Sequence, residues 1–178
     1  MYELKVWDET DESVVIPKTI SGDKFLAFLE LCFQEATYFS FQKAKWTNST
    51  NTSAQKELEP YLLREIDTLK WFGYDYSLAP IEYRKKMKVY LYKADRPAKD
   101  ILGKYFSDVF LRYYNNGILC DSNQTLEDLC FFTKEKIFVG TVSHENILEV
   151  FPPSNEFEKN LKMFGEWDYI NKDPMILP

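Results

Sequence analysis

The chain carries a single histidine, His144, so any acid–base or nucleophilic chemistry that needs an imidazole must be built around it. It lies in Thr141-Val142-Ser143-His144-Glu145, just past a predicted strand, where catalytic side chains often project into a cleft. A thiol hydrolase would take Cys130 as nucleophile and His144 as base. Asp128 or Glu145 would then fix the imidazole tautomer, because a thiolate needs a base and the base needs an orienting carboxylate. The spacing of Cys130, His144 and Glu145 corresponds to no hydrolase signature. A lone histidine beside a glutamate is more often a hydrogen-bonding group that pins a turn, and the balance of the chemistry points away from an enzyme. Cys120, Cys130 and His144 would supply at most three zinc ligands without a Cys-x-x-Cys knuckle, so no metal is expected. The six glycines form no phosphate cradle ahead of a helix, and no cofactor is expected either.

Paired acids such as Asp8-Glu9, Asp11-Glu12 and Glu127-Asp128 face opposite ways in a strand and are solvated in a turn, so adjacency gives them no catalytic role. Charge is more informative. The net charge is -6, from 22 basic and 28 acidic residues, which opposes general affinity for nucleic acid. One segment runs against this balance: residues 84–104 hold Arg84, Lys85, Lys86, Lys88, Lys93, Arg96, Lys99 and Lys104 against Asp95 and Asp100 only. With Tyr83, Tyr90 and Tyr92 interleaved, this basic patch has the composition of a stacking platform for a nucleic acid or another phosphate ligand. A lysine-rich strand edge that resists aggregation explains the same residues.

Aromatic content is the unusual quantity, with 14 Phe, 12 Tyr and 4 Trp making up 17% of the chain. Each ring buries roughly 150–250 Å², and one small core cannot hold them all, so some Tyr and Trp are expected at the surface as partner anchors. The expected anchors are Trp71, Tyr74, Asp75 and Tyr76 where a helix gives way to a loop, and Trp167, Asp168 and Tyr169 in the tail.

The elements that must position these groups are read from periodicity. Two short strands flank an acidic turn over Leu4–Trp7 and Ser13–Ile16. Phe25, Phe28, Leu29, Cys32, Phe33 and Ala36 trace an amphipathic helix, which continues into Tyr38–Phe41 as helix or extended chain. A mobile polar loop is expected over residues 47–54. A second helix is predicted from Pro60 through Leu62, Ile66 and Leu69 to Phe72, stopped by Gly73, with Tyr74–Ser77 as loop. Met87–Ala94 alternates as a strand. Pro97 opens a helix through Ile101, Tyr105, Val109 and Tyr113 to an Asn115-Asn116-Gly117 cap. Leu126–Thr133 and Ile137–Ser143 form a hairpin with apolar residues on both parities, hence buried on both faces. Asn146–Phe151 is a further strand, Glu156–Phe164 a short helix, and the tail irregular.

These elements describe an α+β chain with one globular domain over residues 1–178. The expected architecture is a mixed, mainly antiparallel sheet of about four or five strands packed with three or four helices. No stretch approaches the ~18 apolar residues of a membrane span, and the start shows no basic-then-apolar leader, so a cytoplasmic chain with reduced cysteines and no membrane association is expected.

Leu126–Phe132, followed by Ile137-Phe138-Val139-Gly140-Thr141-Val142-Ser143-His144-Glu145, resembles the small acidic immunity proteins that bacteria encode beside polymorphic toxins. That resemblance implies a cytoplasmic inhibitor that occludes a toxin's active site, and it carries over no individual residue. The primary expectation is a non-catalytic protein-binding domain for a basic partner, with acidic residues raising the association rate. Two alternatives remain: a small hydrolase or transferase centred on His144, and a nucleic-acid or phosphate-ligand binder through residues 84–104.

Overall fold

The computed structural model describes residues 1–6, 18–43, 52–115, 118–120, 126–134 and 136–178. Within them the chain forms β1 (Tyr2–Leu4), α1 (Asp23–Glu35), β2 (Tyr38–Lys43), α2 (Ser53–Leu58), β3 (Leu62–Thr68), β4 (Lys70–Trp71), β5 (Tyr74–Asp75) and β6 (Met87–Lys93). It continues with α3 (Arg96–Tyr105), β7 (Tyr113–Asn115), β8 (Ile118–Cys120), β9 (Leu126–Thr133), β10 (Lys136–Val142), β11 (Ile147–Val150), α4 (Asn155–Leu161) and β12 (Trp167–Tyr169).

Eight strands make one sheet in the order β12-β1-β11-β10-β9-β2-β6-β3, and β4–β5 and β7–β8 are separate two-stranded ribbons. Every strand pairing among the described residues is antiparallel. The expected sheet of four or five strands, mixed in direction, is therefore corrected to eight antiparallel strands. The added strands are those that leave little local signal. β12 is three residues, too short for periodicity to register, and lies in the tail expected to be irregular; β2 takes the extended one of the two forms open to residues 38–41, and the strand expected to start at Leu4 ends there instead, as Tyr2–Leu4.

The segment read as a second helix is the other source of the difference. After a single 3-10 turn at Glu59–Tyr61, residues 62–68 run extended as β3, pairing with β6 from Leu62↔Tyr92 to Thr68↔Met87. Leu62 and Ile66 fit a helical stripe, but a register shift between Leu62 and Arg64 turns them to opposite faces of the sheet, Leu62 toward the first apolar cluster and Ile66 toward the second, and pairing with β6 sets the strand. The exposed side chains Leu63, Arg64, Glu65 and Asp67 then mark β3 as a sheet edge.

The helix opened by Pro97 stops at Tyr105, not Tyr113. Beyond it the chain forms a loop that buries Val109, Phe110 and Leu111. Its organiser is Asp108, fully buried, which accepts hydrogen bonds from the Phe110 N–H (2.9 Å), the Arg112 Nε–H (2.9 Å) and the Thr19 hydroxyl. The apolar spacing reports burial correctly here, but a turn built on a carboxylate replaces the helix. Asn115 ends β7 in place of a helix cap, and residues 116 and 117 lie outside the described residues. The same holds for the predicted strand over 13–16 and for residues 47–51 of the predicted loop. Thr52 instead caps α2 through a reciprocal capping box with Gln55.

The two-faced burial expected of the hairpin is present. Along β9, Leu129 and Phe131 belong to one apolar cluster and Cys130 and Phe132 to another. On the first face, Tyr92, Phe39 and Phe131 lie side by side across β6, β2 and β9, with Phe39 and Tyr92 stacked at 5.2 Å. Phe25, Phe28, Leu102 and Phe157 from the helices close over them. On the opposite face, Met87, Val89, Leu91, Cys130 and Phe132 are covered by Trp71 and Phe72 of the β4–β5 ribbon and by Met175 and Leu177.

Two glycines let that ribbon settle on the sheet. A Cβ on Gly140 would lie 2.7 Å from the Phe72 ring, and one on Gly73, whose φ is 77°, would lie 2.3 Å from Val142 Cγ2. Among the described residues no helix is long and apolar enough to cross a membrane.

Candidate functional site

The second face carries polar residues where β9 is irregular. The register between β2 and β9 shifts between Ser40 and Gln42, and Asp128, within that bulge, takes a left-handed backbone with φ 60°. Aspartate is among the few residues that accept this conformation readily, and bulges commonly re-aim a side chain. Here the Asp128 carboxylate is buried under the sheet surface at 1% exposure.

Three segments converge on it. From β2, Gln42 Nε2 donates to Asp128 Oδ2 at 2.9 Å. From β5, the Tyr74 hydroxyl donates to the same oxygen at 2.9 Å. From the turn after β10, the Ser143 N–H donates to Asp128 Oδ1 at 2.8 Å, while the Asp128 N–H donates to Ser143 Oγ at 2.9 Å. This reciprocal clamp fixes the single 3-10 turn Ser143–Glu145, which ends in left-handed Asn146. That turn holds His144 with Nδ1 at 3.2 Å from the Tyr74 hydroxyl.

The electrostatics are set by burial. Desolvation pushes the Asp128 carboxyl above its ordinary range, and the hydrogen bonds from Ser143 and Tyr74 act against that shift. Burial and the neighbouring Asp128 carboxylate push the Tyr74 phenol well up, so it stays protonated and remains a donor. The imidazole stacks on Tyr74 with centroids 6.0 Å apart and planes at 26°, and Tyr74 stacks on Tyr76 at 6.0 Å and 21°. These rings, with Lys43 and Glu127, wall a cleft of about 90 Å³ whose buried members are Gln42 and Asp128. Such a cleft has room for a few waters or the tip of one side chain. A larger cavity of about 430 Å³ between Met1, Phe138, Phe151 and Pro174 involves none of these residues.

His144 and Asp128 are thus brought together, through Tyr74 as intermediary. Glu145 lies beside the other ring nitrogen, Oε1 at 3.8 Å from Nε2, with both side chains more than half exposed. Cys130 does not join them. Its thiol is fully buried in the second apolar cluster, and burial pushes it well above the ordinary thiol range. The thiol-hydrolase arrangement is corrected accordingly: its nucleophile faces Trp71 and Phe132 in the core and is held as a neutral thiol. Among the described residues no group of three or more His, Cys, Asp and Glu is placed to hold a metal ion.

The expected anchors divide. Tyr74 and Tyr76 are half-buried and Asp75 is exposed. The Asp75 carboxylate is held below its ordinary range by the Ser77 hydroxyl and N–H and by Lys70 at 3.3 Å. Trp71, expected at the surface, is buried at 2% exposure because β4 faces it onto Phe132. Trp167, Asp168 and Tyr169 sit on the opposite edge strand of the sheet. There Trp167 Nε1 donates to Leu161 O at 3.2 Å, Asp168 pairs with Lys5 at 3.0 Å and Tyr169 packs edge-on to Tyr2.

Part of the basic segment is neutralised. Lys88 pairs with Glu65 (2.7 Å) and Asp67 (3.7 Å), Lys93 with Asp95 (2.9 Å) and Lys104 with Glu57 (2.6 Å). Tyr90 and Tyr92 are buried under the helices, so the stacking platform expected of them is not formed. Arg84, Lys85, Lys86 and Arg96 remain exposed.

Sequence reasoning missed Gln42 and Ser143, which have no spacing relation to His144. It also missed Leu78 and Ile81, which are 83% and 80% exposed in the loop that leaves β5. Their signal was present, since a loop holding Leu78, Ile81 and Tyr83 between prolines and lysines has little else to bury them against. Compared with family models, with curated proteins and with solved structures, the chain finds no significant match in any of the three.

Proposed function

We propose that this chain is a non-catalytic protein-binding domain whose contact surface begins at the Tyr74–His144 cleft and continues along Tyr76, Leu78, Ile81 and Tyr83. One observation carries the reading: residues 74–83 hold five large apolar side chains, two half-buried and three at 83%, 80% and 66% exposure, on a loop anchored to the sheet at Tyr74. Apolar groups concentrated at one surface mark interaction sites far more often than isolated ones do, and tyrosine is a frequent hot-spot residue. Glu127 lines the cleft with Lys43, Glu145 lies beside His144, and the chain's net charge is -6. Together they favour a basic partner, and an immunity-type inhibitor of a basic toxin agrees with the resemblance carried by Leu126–Glu145.

A catalytic reading centred on His144 retains one supporting observation, the imidazole held 3.2 Å from a phenol at a cleft. The volume of about 90 Å³ and the burial of Cys130 weigh against it.

The contact reading is tested by affinity capture from the cells of origin, comparing wild type with a folded Tyr76→Ala/Ile81→Ala variant. A basic protein retained by wild type should be retained more than about tenfold less by the variant, the loss expected when hot-spot side chains are truncated. Equal retention by both would contradict this surface.

A further inference from the structure

We infer that Asp128, acting through Tyr74, locks His144 in its Nδ1–H tautomer, so that Nε2 and the Glu145 carboxylate together form an acceptor pair for a cationic N–H donor, an arginine or lysine side chain of the partner. This rests on the contact reading and names the chemical group that the cleft rim takes.

The Tyr74 hydroxyl has one proton and, among the described residues, two hydrogen-bonding neighbours, Asp128 Oδ2 at 2.9 Å and His144 Nδ1 at 3.2 Å. Asp128 Oδ2 also accepts from Gln42 Nε2, and Oδ1 accepts from the Ser143 N–H. A carboxylate surrounded by three donors is an acceptor, and it takes the phenol proton. The phenol oxygen can then only accept from the imidazole, which places the ring proton on Nδ1. In a neutral imidazole the other nitrogen is then a bare lone pair. Nε2 is the ring nitrogen not held by Tyr74 and lies 3.8 Å from Glu145 Oε1, with the His144 and Glu145 side chains at 54% and 55% exposure. Two acceptors at that separation can each take one of two diverging N–H groups of a guanidinium or an ammonium. The stacked faces of Tyr74 and Tyr76 nearby add attraction for a cation. A neutral donor could hydrogen-bond to both acceptors, but only a cation adds the Coulombic attraction of the Glu145 carboxylate, which is what selects for charge.

Because the chain has one histidine, the tautomer is directly readable by long-range ¹H–¹⁵N correlation on uniformly labelled protein, at a pH where the imidazole is neutral. Wild type should show a protonated Nδ1 and a bare Nε2. Tyr74→Phe keeps the ring stack but removes the hydroxyl, and should revert to the Nε2–H form that free histidine prefers. Blocked arginine (Nα-acetyl-arginine methylamide) should shift the wild-type Nε2 resonance saturably. The blocked norleucine analogue should not, and Glu145→Gln should weaken the arginine response about tenfold, as expected for loss of a charge-assisted hydrogen bond.

A wild-type Nε2–H tautomer would overturn the relay. Equal response to arginine and norleucine, or none to arginine, would overturn the ligand class even if the capture experiment succeeds. A saturable, Glu145-dependent arginine response alongside failed capture would support the acceptor pair and refute the contact reading on which its biological use rests.

Discussion

Replacing Gly140 by valine is expected to lower stability by about 3–5 kcal/mol and to abolish whatever binding the Tyr74 loop supports. Already a Cβ at this position would lie 2.7 Å from three atoms of the Phe72 ring, and Phe72 is itself nearly buried, so the ring has nowhere to retreat within the second cluster. Relief requires the β4–β5 ribbon to lift from β10, which exposes Phe72 and Trp71. Each large side chain returned to water costs about 1.5–3 kcal/mol, and overpacking strain alone costs about 1–3 kcal/mol. Since Tyr74 comes directly after the same turn, lifting the ribbon also removes the phenol from Asp128 and His144. A double variant with Phe72→Ala should lose less than the sum of the two single changes, because the alanine side chain vacates the space the valine needs. Urea unfolding of the two single variants and the double variant measures this. Additive losses would show that Gly140 matters for some reason other than the ring above it.

Asp128→Ala should cost about 3 kcal/mol, from two separable sources. The buried Ser143 N–H and Gln42 Nε2 lose their acceptor, at roughly 1–3 kcal/mol for each unsatisfied donor, offset in part because a carboxylate no longer has to be buried. Alanine at φ 60° adds about 1–2 kcal/mol of backbone strain, which Asp128→Gly avoids. Glycine should therefore be the milder variant although it removes the same hydrogen bonds.

The pH dependence has a definite sign. Burial raises the folded-state pKa of Asp128 above its unfolded value, so the native state holds this proton more tightly. The stability advantage of wild type over Asp128→Ala should widen as pH falls through the raised pKa toward the unfolded value of about 4, and settle to its smaller, constant value above that window. A gap that narrows on acidification would mean that the hydrogen bonds to the ionised form outweigh desolvation.

The parts of this fold that are legible in sequence are those whose neighbours along the chain are also their neighbours in space. α1 shows its Phe25, Phe28, Leu29, Cys32 stripe because one helix face meets the sheet. The β9–β10 hairpin shows apolar residues on both parities because helices cover one side and the β4–β5 ribbon the other. β3 is misread because Leu62, Ile66 and Leu69 keep a helical spacing, and only pairing with the distant β6, through a register shift that turns Leu62 and Ile66 to opposite faces, makes it a strand. Residues 106–112 are misread because their burial depends on Asp108, a single carboxylate whose three donors cannot be inferred from spacing.

The candidate site divides the same way. His144 is conspicuous as the sole imidazole, and Asp128 is available as its orienting acid. The direct contact of each is Tyr74, which the sequence marks only as a surface ring. Gln42, Tyr74, Asp128 and Ser143 come from four separate segments, and the bulge that re-aims Asp128 arises from a register shift against β2 that nothing in residues 126–133 announces. Trp71 illustrates the converse: a tryptophan beside a glycine turn suggests exposure, but the turn is what folds it inward.

Hydrogen exchange with mass spectrometry on the free chain and on its complex with the captured partner tests the contact surface most directly. Peptides spanning residues 74–83 and 143–146 should gain protection in the complex while β3 and β12 exchange as before. Protection confined to Trp167–Tyr169 or to Arg84–Lys88, with the Tyr74 loop unchanged, would contradict it.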